Sequence, residues 1–242
     1  MKITGRNAVS EALNSDVTID RLAVARGLKD SQANSLINIA KSKGIKIAFL
    51  DKEILDKESK GVKHQGFIAE ITDYKYAEVE DILEDAKVKG QDPFIIILDG
   101  VEDPHNLGSV LRVAECAGVS GVIIARHRAV SVNETVIRVS AGAAAHVKVA
   151  RVTNINDTIR ELKDRNIFVL AAETGGNNLY KTDLKGALAV VIGGEDSGVK
   201  RLTKQLCDGI ISLPMFGEVN SLNASVACGA VVYEAIRQRN FD

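Results

Sequence analysis

The sequence has few aromatic residues and few cysteines, and both shortages exclude classes of function. Tryptophan is absent, and phenylalanine and tyrosine make up only 4% of the 242 residues. A nucleic-acid-binding sheet of the RRM or OB type is therefore poorly supported, because such sheets stack bases on exposed aromatic rings. The three cysteines, Cys116, Cys207 and Cys228, form no C-x-x-C pair. We predict neither disulfides nor a zinc site and expect all three to be small packing residues.

Long apolar runs and metal-ligand patterns are missing as well. No apolar run approaches the roughly 18 residues of a membrane span, and the first residues lack the pattern of a signal peptide. The four histidines form no ligand-spaced set, so no metal is expected. With 45% hydrophobic and 26% charged residues, the composition is that of an ordinary globular protein. These features predict a cytoplasmic protein that uses neither a membrane nor a metal.

Hydrophobic patterning and charge divide the chain into three parts. Residues 1–72 carry a net charge of +3 and show short helical and strand patterns, which predict a small α/β domain. Residues 73–92 carry a net charge of −4 and predict an acidic linker with a helix. Residues 93–242 are neutral overall and alternate apolar strands with helices. That alternation predicts a parallel sheet covered on both faces.

In an open parallel sheet, ligands bind beyond the carboxyl ends of the strands. A first polar stretch, Asp99–Arg112, follows the apolar strand Phe94–Leu98. Asn106 fits the N-cap of the next helix. Arg112 lies between two apolar residues, close to the predicted buried face, where a guanidinium requires a carboxylate or phosphate partner.

A second stretch, Gly193-Gly-Glu-Asp-Ser-Gly-Val-Lys200, follows a buried strand and almost matches a phosphate-binding loop. Val199 stands where that loop requires lysine, and Glu195 and Asp196 have the wrong charge for an anion site. The dinucleotide fingerprint G-x-G-x-x-G is absent from the chain. A plain turn with Asp196 or Ser197 as a helix N-cap explains everything here except Glu195.

A third stretch, residues 213–227, leads from a strand into the last helix, predicted over residues 221–239. Ser221, Asn223 and Ser225 crowd the predicted helix start, although a helix needs only one cap. Polar groups at a helix N-terminus either cap the helix or bind an anion.

Together the three stretches resemble the signature motifs of the SpoU-type (TrmH-type) RNA 2′-O-ribose methyltransferases. The motifs, in the family's order, are Asn106-x-Gly108-x-x-x-Arg112, Ile192-Gly-Gly-Glu195 with Gly198, and Leu213-Pro-x-x-Gly217-x-x-x-Ser221-Leu-Asn223-x-Ser225-Val-Ala. The N-terminal part, with residues 5–13 and His64-Gln-Gly66, is similar to the substrate-binding domain of the RlmB-like subgroup, which modifies a guanosine of large-subunit ribosomal RNA.

The resemblance implies a fold and a cofactor. The fold is a parallel α/β sheet of the SPOUT type with a deep C-terminal trefoil knot, preceded by a small L30e-like α/β substrate-binding domain. The cofactor is S-adenosylmethionine, bent against the loops of the second and third motifs. The residues implied to contact it, largely through backbone, are Gly193, Gly194, Leu213, Met215 and Leu222. Because this cofactor has no phosphate, its loop needs no lysine.

The resemblance also implies catalytic roles. Arg112 is expected to hold an RNA phosphate and to assist deprotonation of the ribose hydroxyl electrostatically and as a relay, because an arginine stays protonated at neutral pH. Asn106 and Asn223 would orient the ribose and Arg112. Glu195 would hold the motif loops or the guanidinium, and Ser221 would hydrogen-bond within the site. Position 224 is alanine where many members have valine, a change expected to matter little.

The implied reaction is methylation of a guanosine ribose 2′-hydroxyl in large-subunit (23S) ribosomal RNA. The implied assembly is a homodimer through the knotted domain, which the small residues of the last helix favour. Lys57, Lys60 and Lys63 would grip RNA loops or, alternatively, only solubilise the domain.

Three alternatives remain open at this point. The chain could act on tRNA, or on ribosomal RNA at a different site, since the match of its N-terminal part is looser than that of its motifs. It could be an inactive RNA-binding or assembly protein, against which the intact motif residues argue. An oxidoreductase would need the missing dinucleotide fingerprint.

Overall fold

A computed structural model describes residues 1–15, 17–195 and 198–241. The chain divides into two compact units, residues 1–75 with 132–134, and residues 76–131 with 135–242. Each unit has its own sheet. In the described part of the chain, no helix is both long enough and apolar enough to cross a membrane.

The first unit is built on a four-stranded sheet. Its elements are β1 (Lys2–Thr4), α1 (Arg6–Asn14), β2 (Thr18–Ala25), α2 (Ser31–Ser42), β3 (Lys46–Leu50), α3 (Lys52–Glu58) and β4 (Phe67–Thr72). The strand order is β1-β4-β2-β3, in which only β2 and β3 are parallel. Leu13, Leu36 and Phe67 are fully or almost fully buried in the core that α1 and α2 form with the sheet. The polar segment after β3 gave no helical prediction, yet it contains α3, which buries only Leu55.

The two N-terminal stretches that resemble the substrate-binding domain meet in this unit. The backbone N–H of Arg6 donates to Gln65 Oε1 (3.0 Å), and Arg6 Nε donates to the Gln65 carbonyl (3.2 Å). His64 is buried, and its Nδ1 accepts from the Gly66 N–H (2.9 Å). A Cβ on Gly66 would lie 2.5 Å from Leu28 Cδ1. Glycine at this turn therefore leaves room for the Leu28 side chain.

The second unit carries a six-stranded sheet in which every neighbouring pair of strands is parallel. The strand order is β10-β8-β9-β5-β6-β7. Its elements are α4 (Val79–Val88), β5 (Phe94–Asp99), α5 (Pro104–Cys116), β6 (Gly121–Ala125), α6 (Glu134–Val139), β7 (Val149–Val152), α7 (Ile155–Asp164), β8 (Phe168–Asn178), β9 (Leu188–Gly193), α8 (Arg201–Leu206), β10 (Gly209–Ser212) and α9 (Ala224–Asn240). The predicted parallel sheet is confirmed.

The central strands of the six-stranded sheet are buried because their sequences are continuous apolar runs. All six residues of β5 are buried, as expected for a strand covered on both faces. The helix α4 of the acidic segment packs Ile82 into the core of this unit. The helices α5 and α9 pack against each other. At the carboxyl ends of the central strands, Asp99 of β5 pairs with Gly193 of β9, so the loops that follow both strands begin side by side.

Three local predictions were wrong. Asn106 does not cap α5, because the side chain of Asp103 accepts the His105 N–H and Pro104 opens the helix. The last helix begins at Ala224 rather than at residue 221, since Asn223 is its N-cap. Among the cysteines, Cys116 is exposed, whereas Cys207 is half-buried and Cys228 is buried. The trefoil knot stays a prediction.

Candidate active site

A cavity of about 400 Å³ lies at the carboxyl ends of β8, β9 and β10. All five residues predicted to contact a cofactor lie in its wall: Gly193, Gly194, Leu213, Met215 and Leu222. Ile192 and Ile211 add apolar surface, and Ser221 contributes a hydroxyl. The cavity therefore combines an apolar floor with exposed backbone, an arrangement typical of sites for small organic ligands.

The glycines of the second motif have a steric reason. A Cβ on Gly193 would lie 2.1 Å from the Gly198 carbonyl carbon, and one on Gly194 would lie 2.4 Å from the Gly100 carbonyl oxygen. The loop closes on itself, since the Gly198 N–H donates to the Gly194 carbonyl (2.9 Å). Only glycine lets these backbone segments pass so closely. The proposed caps Asp196 and Ser197 lie outside the described residues.

Hydrogen bonds join one residue from each of the three motifs. Glu195 Oε1 accepts from Asn106 Nδ2 (2.9 Å) and from Asn223 Nδ2 (2.5 Å). Asn223 Nδ2 also donates to Asn106 Oδ1 (2.9 Å). The Asn106 side chain, which belongs to a buried residue, thus has partners for both its donor and its acceptor groups. The carboxylate fixes both amides and so links α5 to the start of α9.

Asn223 is fixed at its other end by the helix that it caps. Its Oδ1 accepts from the backbone N–H groups of Ser225 (3.0 Å) and Val226 (3.3 Å). The Ser225 hydroxyl donates to the same oxygen (2.7 Å). Of the three polar residues crowded at this helix start, Asn223 is therefore the cap, Ser225 supports it, and the exposed Ser221 lines the cavity.

Arg112 lies six residues after Asn106 on α5, about 9 Å further along the helix axis. Its side chain is exposed rather than close to the buried face, which corrects the sequence prediction. Among the described residues, no protein group forms a hydrogen bond or ion pair with its guanidinium. Glu195 is engaged by two asparagines and does not hold Arg112. The guanidinium is free to bind an anionic group from outside the chain.

Two carboxylates at this end of the sheet were missed as site residues. Asp99, whose side chain is 1% exposed, accepts from the Lys200 N–H (3.0 Å) and from Lys200 Nζ (2.6 Å). Glu173 lies in the cavity wall, where its Oε2 accepts from the Val199 N–H (3.0 Å). Both therefore hold the end of the loop that follows β9. Asp99 had a signal in the sequence, since it ends the apolar strand β5, whereas Glu173 lies within the polar part of β8 and had none.

Cys207 and Cys228 are not nucleophiles. Burial raises the pKa of Cys207 and of Cys228 to about 12. Neither sulfur is therefore a thiolate at neutral pH, and the thiolate is the nucleophilic form of cysteine. The chemistry of the site depends on oxygen and nitrogen groups.

Comparison with known proteins decides which family has this arrangement. The sequence model described as "SpoU rRNA Methylase family" matches residues 93–233. The chain belongs to this family. A second model, "RNA 2'-O ribose methyltransferase substrate binding", matches residues 2–77 of this SpoU methylase. The resemblance read from the three motifs is confirmed.

Relatives of this SpoU methylase cover nearly its whole length. YacO of Bacillus subtilis (strain 168), assigned to the TrmH family of tRNA/rRNA methyltransferases, is 43% identical over 98% of this chain and 96% of its own. A relative from Staphylococcus saprophyticus with the same family assignment is 41% identical over 99% of this chain and 96% of its own. The protein is thus an RNA methyltransferase of the SpoU/TrmH family, and S-adenosylmethionine is the cofactor of that family.

Solved structures share the fold of this SpoU methylase. The SpoU methyltransferase AviRb from Streptomyces viridochromogenes, solved in complex with AdoMet, superposes with a TM-score of 0.61 at 22% identity, over 98% of this chain and 90% of that one. A TrmH/SpoU tRNA modifying enzyme of A. aeolicus superposes with a TM-score of 0.56 at 26% identity, over 65% of this chain and 83% of that one. The predicted fold class, with an N-terminal substrate-binding domain, is confirmed.

Proposed function

We propose that this RNA methyltransferase transfers a methyl group from S-adenosylmethionine to the ribose 2′-hydroxyl of a guanosine in large-subunit ribosomal RNA. The observation that carries the proposal is the network of Asn106, Glu195 and Asn223 beside a glycine-walled cavity, with the free Arg112 guanidinium on the same helix as Asn106. The cavity suits an uncharged part of the cofactor, the two asparagines suit a ribose, and the Arg112 guanidinium suits a phosphate.

The cavity fits the cofactor. Its volume of about 400 Å³ lies within the range of sites for small organic ligands. Gly193 and Gly194 offer backbone groups without side chains, and Leu213, Met215 and Leu222 offer apolar contact. When bound, S-adenosylmethionine supplies a methyl group on a positively charged sulfur.

The residues of the chain position the acceptor in this mechanism. Methyl transfer requires the ribose oxygen to lie in line with the methyl group, so fixed orientation supplies much of the rate. We propose that Asn106 and Asn223 orient the ribose, because hydrogen bonds to Glu195 fix both side-chain amides. Arg112 binds the adjacent phosphate and stabilises the negative charge that develops on the 2′-oxygen as its proton leaves to solvent water. Ser221 donates a hydrogen bond within the site.

RNA binding is assigned to residues 1–72, with residues 73–92 as a linker that contains the helix α4 and residues 93–242 as the knotted catalytic domain. Lys57, Lys60 and Lys63 of the first domain are exposed. Exposed lysines near one another attract the phosphate backbone whatever its sequence. We also propose a cytoplasmic location, where ribosomal RNA is available as substrate.

A homodimer is proposed through the C-terminal domain, with the exposed face of α9 in the interface. The outward side of α9 exposes Val226 by 56% and Tyr233 by 53%, with Ala230 between them. Small and apolar side chains on one helix face allow close packing against a second helix. We expect solution scattering to give twice the mass of the 26.0 kDa chain; the mass of a single chain would contradict the dimer.

Labelled methyl transfer tests the proposed reaction. The protein is incubated with S-adenosylmethionine carrying a labelled methyl group and, separately, with unmodified large-subunit ribosomal RNA, small-subunit ribosomal RNA or total tRNA. We expect label on one guanosine ribose of the large-subunit RNA, mapped by mass spectrometry. Label only on tRNA would show that the proposed RNA substrate is wrong. This outcome is worth testing because the A. aeolicus neighbour is a tRNA modifying enzyme.

A further inference from the structure

The wall of the cavity contains more carboxylates than a cofactor held mainly by backbone groups would need. The ionisable residues in its described wall are two acids and one base: Glu173, Glu195 and Lys204. Glu195 is committed to the two asparagines of the motif network. Glu173 belongs to none of the three motifs and lies on β8, so its charge at the cavity needs a separate explanation.

Glu173 is held rigidly. Its Oε2 accepts from the Val199 N–H (3.0 Å), and its Oε1 accepts from the Thr174 N–H (3.2 Å). A Cβ on Gly198 would lie 2.4 Å from Oε2, so the carboxylate fills the place of a side chain there. The Glu173 side chain is only 21% exposed. A fixed, mostly buried carboxylate acts on a neighbouring charge more strongly than a mobile surface one.

The cation near Glu173 compensates its charge only in part. Lys204 Nζ lies 3.6 Å from Oε2, which is longer than a hydrogen bond, and the lysine side chain is 32% exposed. Among the described residues, the other partners of the carboxylate are neutral: the backbone N–H groups of Val199 and Thr174, and the Thr174 hydroxyl (3.5 Å). Glu173 therefore retains negative charge directed at the cavity.

We propose that Glu173 has two roles, which rest on the proposed cofactor site: it positions the cofactor loop through Val199, and its charge makes the cavity prefer the methyl donor to the product. S-adenosylmethionine carries a positively charged sulfonium, whereas S-adenosylhomocysteine has a neutral thioether in the same place. A fixed negative charge in the cavity attracts the first more than the second. Product release after methyl transfer is favoured by the same difference.

Glu173→Gln separates the two roles, because the glutamine amide oxygen still accepts the Val199 N–H while the charge is lost. Isothermal titration calorimetry gives the dissociation constants of donor and product without any RNA. We expect the ratio of product to donor dissociation constants to fall about fivefold or more in this variant. Glu161→Gln, which removes an exposed carboxylate on α7, is the matched control and should keep the wild-type ratio.

Two further variants keep the test decisive. Lys204→Gln removes the compensating cation and should raise the ratio, the opposite sign to Glu173→Gln. Glu173→Leu removes both the charge and the acceptor for Val199, so it should weaken the binding of donor and product and also lower the ratio as Glu173→Gln does. A ratio that stays unchanged in both Glu173→Gln and Lys204→Gln overturns the charge role, while wild-type protein that binds neither ligand overturns the cofactor site and this inference with it.

Discussion

Arg112→Ala is expected to abolish methyl transfer to RNA while leaving the affinity for S-adenosylmethionine unchanged. The guanidinium is exposed and, within the described chain, free of protein partners, so its removal disturbs no packing or ion pair. Its loss removes a positive charge where negative charge develops in the transition state, which typically lowers kcat by about 100-fold or more. Single-turnover methylation assays measure the rate, and calorimetry measures cofactor binding.

Two companion variants define what Arg112 contributes. Arg112→Lys keeps the charge but loses the planar fork that binds a phosphate through two hydrogen bonds, and we expect it to recover only part of the rate. Arg160→Ala removes an exposed arginine paired with Asp157 on α7 and should leave the rate unchanged. Wild-type turnover by Arg112→Ala would remove this residue from the mechanism.

Most of the regular elements were predictable because they have a local signal in the sequence. The apolar run of β5 and the period of α2, with Asp30 as its N-cap, are readable from adjacent residues. The helix α3 was missed because it buries a single leucine and gives almost no periodicity. At the start of α5, the sequence prediction placed the cap at Asn106, whereas the structure uses Asp103. Asp103 followed by Pro104 prevailed because proline fits the first helical turn.

Site residues could be predicted only where the resemblance to the family's motifs implied a role for them. Asn106 and Asn223 are 117 positions apart in the chain. Glu195 lies 89 positions after Asn106 and 28 positions before Asn223. No periodicity or propensity brings such residues together. Misassigning Asn106 as a cap followed from this, because its true partners lie in other motifs.

Glu173 shows a second reason why sequence reasoning fell short. The apolar part of β8 ends near Ala171, yet the strand continues to Asn178 and its far part pairs with Ile211 and Ser212 of β10. Backbone pairing with a neighbouring strand, rather than side-chain burial, maintains this polar extension. An extension of that kind has no hydrophobic signal, so a carboxylate on it cannot be assigned to the cavity from the sequence.

Gly193→Ala is expected to lower both cofactor affinity and stability. The new Cβ would lie 2.1 Å from the Gly198 carbonyl carbon and 2.2 Å from the Val199 nitrogen. These are backbone atoms that cannot rotate away, so the loop must shift and Val199 must leave Glu173. Overpacking of this kind typically costs about 1–3 kcal/mol of folding free energy. Since the same loop walls the cavity, we expect the dissociation constant of S-adenosylmethionine to rise at least about tenfold, the factor that 1.4 kcal/mol gives.

Gly217→Ala is the matched control for this change. Gly217 lies in the third motif's loop, after Met215 of the cavity wall, and a Cβ there would meet no atom within 4 Å. We expect its melting temperature and its cofactor affinity to equal those of the wild type, measured by calorimetry on both variants. If Gly193→Ala binds the cofactor as tightly as Gly217→Ala does, the loop after β9 does not hold the cofactor. Gly193 and Gly194 would then be needed only because backbone segments pass close to one another at the end of the sheet.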